Sequence, residues 1–391
     1  MKKIVIAADS FKGSISSQCF ADVCAKAIAD SLPEKCEVTK IPLGDGGEGT
    51  VDALIAAWGG KSVEVTVCDP LMRPVVARYG VSADGKTAIM EMAQASGLPL
   101  LTADERNPLL TSTFGTGQMI VDALARGCRS ILIGIGGSAT NDGGLGMMTA
   151  LGAEFYDAYG CLITGNGCGK DLAKVARIDL SRLNPLLKDA AITVACDVDN
   201  PMCGPRGATH VFSHQKGADD DMAGRLEAGM VNYAAVIKTV TGKNVADYPG
   251  AGAAGGLGGA FYALLGARLM PGIDMVLEAV DFDNRIAGAD LIITGEGRID
   301  SQTVMGKTPY GVLVAARRQS IPVVALGGSV EYSPELNAAG FAAIFSIQPG
   351  PISLADALNP ENAARNLSDI VPQVISLLSQ SKLTYSFPVF C

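Results

Sequence analysis

Five apolar runs in this chain end in side chains able to bind anions, move protons or hold a cation. After "IVIAA" come Asp9, Ser10, Lys12, Gly13 and Ser14, and after "VTKIPLG" come Asp45, Gly46, Gly47 and Glu48. "LIGIG" runs into "GSATNDGGLG", "ITVAC" into Asp197, Asp199 and Asn200, and "LIIT" into Gly295, Glu296, Gly297, Arg298 and Asp300. A single such end reads as a helix cap, because Asp, Ser and Asn satisfy free N–H groups at a helix start. Five together, mixing acids with Lys and Arg, ask for more than capping. Phosphoryl transfer from ATP uses this mixture. Backbone N–H groups bind phosphate oxygens, Lys or Arg neutralises the moving group, carboxylates hold Mg²⁺, and one more carboxylate takes the proton of the attacking hydroxyl. "STFGTGQMIVDAL" offers a further helix N-terminus at Gly115, Thr116 and Gly117.

Two near-motifs test that reading. "SQTVMGKT" approaches the P-loop spacing, but Ser301 stands where its first glycine belongs and no strand immediately precedes it. Lys307 is kept as a phosphate contact and the P-loop is set aside. Gly134, Gly136 and Ala139 match the dinucleotide fingerprint, with Glu154 and Asp157 near the distance of its acidic residue. The loop then continues through Asn141, Asp142, Gly143 and Gly144, and an acid beside a pyrophosphate is unfavourable without a cation. Phosphate with Mg²⁺ suits the loop better than a nicotinamide cofactor.

The elements that must position these residues alternate as strand and helix. "KIVIAAD", "SSQCFADVCAKAIADSLP", "EVTKIPL" and "GEGTVDALIAAWGG" read as βαβα with unbroken apolar strands, the pattern of a parallel sheet covered on both faces. The alternation returns in "ADLIITGEG", "YGVLVAARRQS", "IPVVALGG", "FAAIFSIQ" and the long helix "PENAARNLSDIVPQVISLLSQ". Between them "KSVEVTVCD", "RPVVARYGVS" and "KTAIMEM" are separated only by turns, which predicts antiparallel or mixed strands. "SILIGIGG" and "AAITVACDV" add strands, "ADDDMAGRLEAGMVNYAAVIKTVTG" a helix, and "AGAAGGLGGAFYALLGA" a small-residue helix pressed against a neighbour. The expected fold is α/β with two domains. Residues 1–70 and 286–391 form a discontinuous Rossmann-like parallel-sheet domain, and residues 71–285 an inserted mixed-sheet α/β domain.

Composition supports a globular chain and narrows its partners. Hydrophobic residues are 48% and charged ones 18% of 391, enough for a sizeable core. A net charge of −9 argues against nucleic acid or an anionic membrane as partner, while leaving small anionic substrates open. No stretch approaches the roughly 18 apolar residues of a membrane span. "MKKIVIAADSFKGS" reads as a buried first strand rather than a signal peptide, since its apolar run is short and ends in Asp9 and Lys12. Ten dispersed cysteines without a C-x-x-C pair, and only two histidines, predict reduced thiols in a cytoplasmic protein and no ordinary zinc site.

Seven segments in order, "DSFKGS", "DGGEGT", "GIGGSATNDGGLGM", "ACDVDNP", "QKGA", "GAGAAGGLG" and "TGEGRIDSQTVMGKTPYGV", resemble the bacterial class I glycerate kinases from about residue 4 to 380. Two positions depart from that pattern: Gly44 where alanine is expected and Met72 where glycine is usual. The resemblance implies ATP- and Mg²⁺-dependent phosphorylation of D-glycerate to 2-phosphoglycerate, with the site in the cleft between two α/β domains. It leaves a homo-oligomer open.

The residues carry these expected roles. Gly136, Gly137, Ser138, Asn141, Gly143 and Thr116 lie against the ATP phosphates. Lys12 and Lys307 neutralise charge, and Asp197 is the base for the 2-hydroxyl. Ser10, Asp45, Glu48 and Arg298 bind glycerate, and Asp142 and Glu296 bind metal. Arg298 has a second reading as an ion pair with Glu296 or Asp300. The competing functions are an NAD-dependent dehydrogenase of small hydroxy acids and a periplasmic-type binding protein, which would need an export signal.

Overall fold

A computed structural model describes residues 2–32, 36–47 and 49–380. Glu48, Cys391 and the "LTYSFPVFC" tail therefore lie outside the described residues. The strands, in chain order, are β1 (Lys3–Ile6), β2 (Glu37–Lys40), β3 (Lys61–Cys68), β4 (Pro74–Val81), β5 (Thr87–Glu91), β6 (Ser130–Gly134), β7 (Glu154–Tyr156), β8 (Arg177–Asp179), β9 (Ala191–Ala195), β10 (Arg268–Met270), β11 (Leu291–Ile299), β12 (Val323–Val330) and β13 (Ala343–Ser346). Residues up to Asp45 and from Val276 onward form one unit, and Gly46–Met275 form the other.

The first unit holds a five-stranded, wholly parallel sheet in the order β13-β12-β11-β1-β2. Ile4, Val5, Ile6, Leu291, Ile292 and Ile293 are inaccessible, as consecutive residues must be when both sheet faces are covered. The helix Ser17–Ser31, capped by the Ser16 hydroxyl, buries Phe20, Cys24 and Ile28 in one cluster with Leu367, Val371 and Val374 of the helix Pro360–Gln380. Each such side chain contributes about 1.5–3 kcal/mol of hydrophobic stabilisation. The helix Thr308–Arg317 packs along β11 and β12. Strand order reverses between β1 and β11, because the chain leaves β1 toward β2 on one side and β11 toward β12 on the other. A crevice opens at the carboxyl ends of strands at such a switch point.

The second unit holds a six-stranded mixed sheet, β10-β9-β6-β5-β4-β3, in which β3, β4 and β5 pair antiparallel and the others parallel. β7 and β8 make a separate antiparallel pair. The boundaries differ from those expected near residues 70 and 285. β3 pairs along its whole length with β4, and the helix Thr50–Trp58 packs on β4, so residues 46–70 belong with the second sheet. The small-residue helix is also interrupted. Ala254, Gly255 and Gly256 have positive φ, and regular helix follows them to Leu264.

Met72 sits in a turn with φ 69°, and its N–H donates to Asp69 O at 3.0 Å. This left-handed conformation costs a non-glycine residue roughly 1–2 kcal/mol, which accounts for the glycine expected there. Met72→Gly removes that strain and loses part of the gain to chain entropy. The expected result is a rise of about 0.5–1 kcal/mol in unfolding free energy, read from urea denaturation.

Candidate active site

The crevice at the switch point collects the residues that follow β1, β2 and the upper half of β11. Asp9 N–H donates to Gly295 O at 3.0 Å, extending the β1–β11 pairing, and Leu43 N–H donates to Ala8 O at 3.0 Å beside it. Phe11 N–H then bonds Ile15 O and Ser14 N–H bonds Phe11 O, with Gly13 at φ 77°, so the chain makes a tight turn carrying Lys12 at its tip. Asp9, Ser10, Lys12 and Asp45 line a pocket of about 410 Å³. Glu296, Arg298 and Lys307 line it from β11 and from the start of the helix Thr308–Arg317. Phe11, Leu354 and Leu358 give it an apolar wall. Its size is within the range of about 300–1,000 Å³ usual for small-molecule sites.

Two carboxyl groups inside it are electrostatically strained. Asp9 is 4% exposed; its Oδ1 accepts from Ser10 N–H at 2.6 Å and its Oδ2 from the Thr308 hydroxyl at 3.0 Å. Burial, then the neighbouring Asp45 charge, push it up to about 6. Glu296 accepts from the Thr303 hydroxyl at 2.6 Å, and burial pushes it up to about 7. Groups poised near neutrality in a pocket are suited to proton transfer. Lys307 Nζ stands 3.9 Å from Glu296 Oε2 and 3.8 Å from Asp300 Oδ1, within Coulomb reach of both and beyond hydrogen-bond distance. Lys12 Nζ is 3.2 Å from Asp45 Oδ2. Arg298 resolves toward its ion-pair reading, with Nε 2.9 Å from Asp300 and Nη2 2.9 Å from Glu331, and it still lines the pocket.

The remaining expected residues lie in the second unit. Asp197 is exposed, and its Oδ1 accepts from Gly272 N–H at 2.8 Å at the start of the helix Gly272–Ala279. Of the glycine loop only Gly136 and Gly137 are exposed, with Ser138 7% exposed at their edge. Asn141 and Asp142 are fully buried and Gly143 is buried, because the loop's second half lies under other elements. Gly143 N–H donates to Gly255 O, and a Cβ at Gly143 would meet the Tyr233 ring at 2.8 Å. Thr116 is fully buried, its hydroxyl 2.8 Å from that of Ser96. Gly115 and Gly117 serve close packing, since a Cβ there would fall 1.9 Å from Cys68 O and 2.5 Å from Met147 O.

Asp142, expected as a metal ligand, has its carboxylate engaged as a brace between neighbouring segments. Its carboxylate accepts from Thr113 N–H (2.8 Å), the Thr113 hydroxyl (2.7 Å), Gly144 N–H (3.1 Å) and Gly146 N–H (3.2 Å). Burial raises its pKa and these bonds oppose the rise. Asp142→Ala strands three buried N–H donors, so unfolding free energy should fall by about 3–5 kcal/mol, measured in urea. A loss below 1 kcal/mol would contradict the brace.

Lys216, quoted above only within "QKGA", is 2% exposed beneath the loop, and burial pushes its ammonium down to about 7. Nothing in the local pattern marks it as buried. Asp9 had a sequence signal, standing directly after an apolar strand, but Lys12 and Asp45 carried the expectation instead. Among the described residues no three His, Cys, Asp or Glu side chains are grouped to hold a metal ion, and no helix is long and apolar enough to cross a membrane.

A pocket that sets acids beside ammonium groups at a parallel-sheet switch point belongs to the α/β enzymes acting on small anionic molecules. Comparison with known proteins narrows that class: the sequence model of the glycerate kinase family matches residues 4–379, and the chain belongs to this family. It is 46% identical to the glycerate kinase of Bacillus subtilis (strain 168) over 386 residues, covering 98% of this chain and 99% of the relative. It is 45% identical to the glycerate 2-kinase of Escherichia coli (strain K12), covering 94% and 97%. The crystal structure of a protein assigned as glycerate kinase 2 from Salmonella typhimurium LT2 superposes with a TM-score of 0.88 at 44% identity, covering 97% of this chain and 99% of that one. The protein is an enzyme that phosphorylates glycerate.

Proposed function

We propose that the phosphoryl donor is ATP, the acceptor the 2-hydroxyl of D-glycerate, and the product 2-phosphoglycerate. The observation that carries this reading is the convergence of Asp9, Asp45, Glu296, Lys12 and Lys307 on one pocket at the switch point. Glycerate sits there with its carboxylate toward Lys12 and Arg298 and with Ser10 in hydrogen-bond reach. Asp9 accepts the 2-hydroxyl proton as that oxygen bonds the γ-phosphorus and the bond to the β–γ bridging oxygen breaks, releasing ADP. Asp9 is favoured over Asp197 because it is buried, lines the pocket and is raised to about 6. Lys307 offsets the charge on the transferring group.

Mg²⁺ suits the hard oxygens of Glu296, whose carboxylate charge burial leaves poorly solvated, so that its pKa rises to about 7. It would be held by Glu296 with the nucleotide's own phosphates, since Mg²⁺ takes only one or two carboxylates in such sites; when bound it neutralises phosphate charge. A cytoplasmic location is supported by the nine described cysteines, all free thiols. Phosphorus NMR of a reaction containing ATP, Mg²⁺ and D-glycerate tests the proposal. 2-Phosphoglycerate is expected, and 3-phosphoglycerate or an unconsumed γ-phosphate would refute it.

A further inference from the structure

We infer that Lys216 is a positioning residue for the phosphoryl donor, holding Ser138 so that the exposed turn Gly136–Gly137–Ser138 forms an anion-binding cradle. The inference rests on the ATP-dependent reading above and deepens it.

The turn is fastened through its carbonyl side. Leu98 N–H donates to Gly137 O at 2.9 Å, and Ala139 N–H donates to Ser96 O at 2.9 Å. The N–H groups of Gly136, Gly137 and Ser138 donate to no acceptor among the described residues. Gly137 has φ 71°, a conformation that lets successive N–H groups point to one side, as in the concave nests that bind phosphate. A Cβ at Gly136 would meet nothing within 4 Å, so packing does not require glycine there, and the space before it is open.

Beneath the turn lies the second, independent feature. The Lys216 ammonium, enclosed by protein, donates to Ser138 Oγ at 2.8 Å and to Thr140 O at 2.7 Å. Because Ser138 Oγ accepts from the lysine, its own hydroxyl hydrogen is turned away from Nζ and is available as a fourth donor beside the three N–H groups. In its protonated form Lys216 reinforces all four, since a cation in low dielectric acts on a nearby anion more strongly than one in water. Asp142 makes no hydrogen bond to it, its carboxylate engaging Thr113, Gly144 and Gly146, and favours the ammonium form only through space. A purely structural lysine would need neither an exposed turn of unused donors nor a serine between itself and the surface.

The cradle fits a di- or triphosphate and is read with inorganic tripolyphosphate by titration calorimetry on the full chain. Ser138→Ala keeps the Lys216–Thr140 bond and the fold. It should weaken tripolyphosphate about tenfold, the loss of one hydrogen bond to a charged group. Lys216→Met should weaken it further, and the double variant should be no worse than Lys216→Met alone, because Ser138 acts only as the lysine orients it. In turnover assays the nucleotide KM should rise in both variants while the glycerate KM stays within twofold. Unchanged tripolyphosphate affinity in Ser138→Ala, additive losses in the double variant, or a rise confined to the glycerate KM would each overturn the inference. If the wild-type chain binds tripolyphosphate as stated but transfers no phosphate from ATP to glycerate, the functional reading fails and the cradle stands.

Discussion

Asp9→Asn is expected to lower kcat by about 10²–10⁴-fold, the usual contribution of a positioned general base. The substitution keeps the shape of the side chain and its bond with the Thr308 hydroxyl, so the circular-dichroism spectrum and the melting midpoint should stay close to wild type. The pH profile supplies the sharper readout. The active form of Asp9 is the carboxylate, and burial together with Asp45 holds its pKa near 6. Activity in the wild type should therefore fall as pH drops through about 6, and the part of that acidic limb due to Asp9 should be lost from the variant's residual rate, leaving the part set by Glu296 near 7. If Asp197→Asn removes turnover and Asp9→Asn does not, the base belongs at Asp197.

Lys307→Met should rank second. Its ammonium lies within 4 Å of Glu296 and Asp300 without a close hydrogen bond to either, so its charge is positioned for an incoming anion more than for holding the fold. Removing one preorganised donor or charge from a developing transition state costs about 10²–10³ in kcat. The loss should appear in kcat with little change in the glycerate KM, because the interaction strengthens as phosphate moves. Lys307→Arg keeps the charge and should recover part of the rate. A loss seen only as a higher glycerate KM would make Lys307 a substrate-binding residue.

The strands and helices were legible because they depend on short-range pattern. The buried run "KIVIAAD", the helix after Ser16 and the helix over residues 360–380 each advertise their period or cap, and each appears where expected. The three turn-linked strands β3, β4 and β5 were likewise readable, because neighbours in sequence pair antiparallel when only a turn separates them. Less legible was the role of a glycine. At Gly115, Gly117 and Gly143 the backbone is approached by Cys68, Met147 and Tyr233, contacts that nothing within a few residues announces.

By itself the sequence determined the family, the two α/β sheets and the strand ends that carry charge, since motif order and hydrophobic period are properties of the chain. The tertiary structure decided which of those ends meet. β1 and β11 pair at the point where the strand order reverses, which brings Asp9 and Glu296 into one pocket, where burial raises both pKa values. It also decided which polar residues reach solvent. Asp142 was expected as a metal ligand and Lys216 carried no expectation, yet both are buried by segments distant along the chain. Burial and proximity are sums over long-range contacts, so the environments of these four residues come from the folded chain.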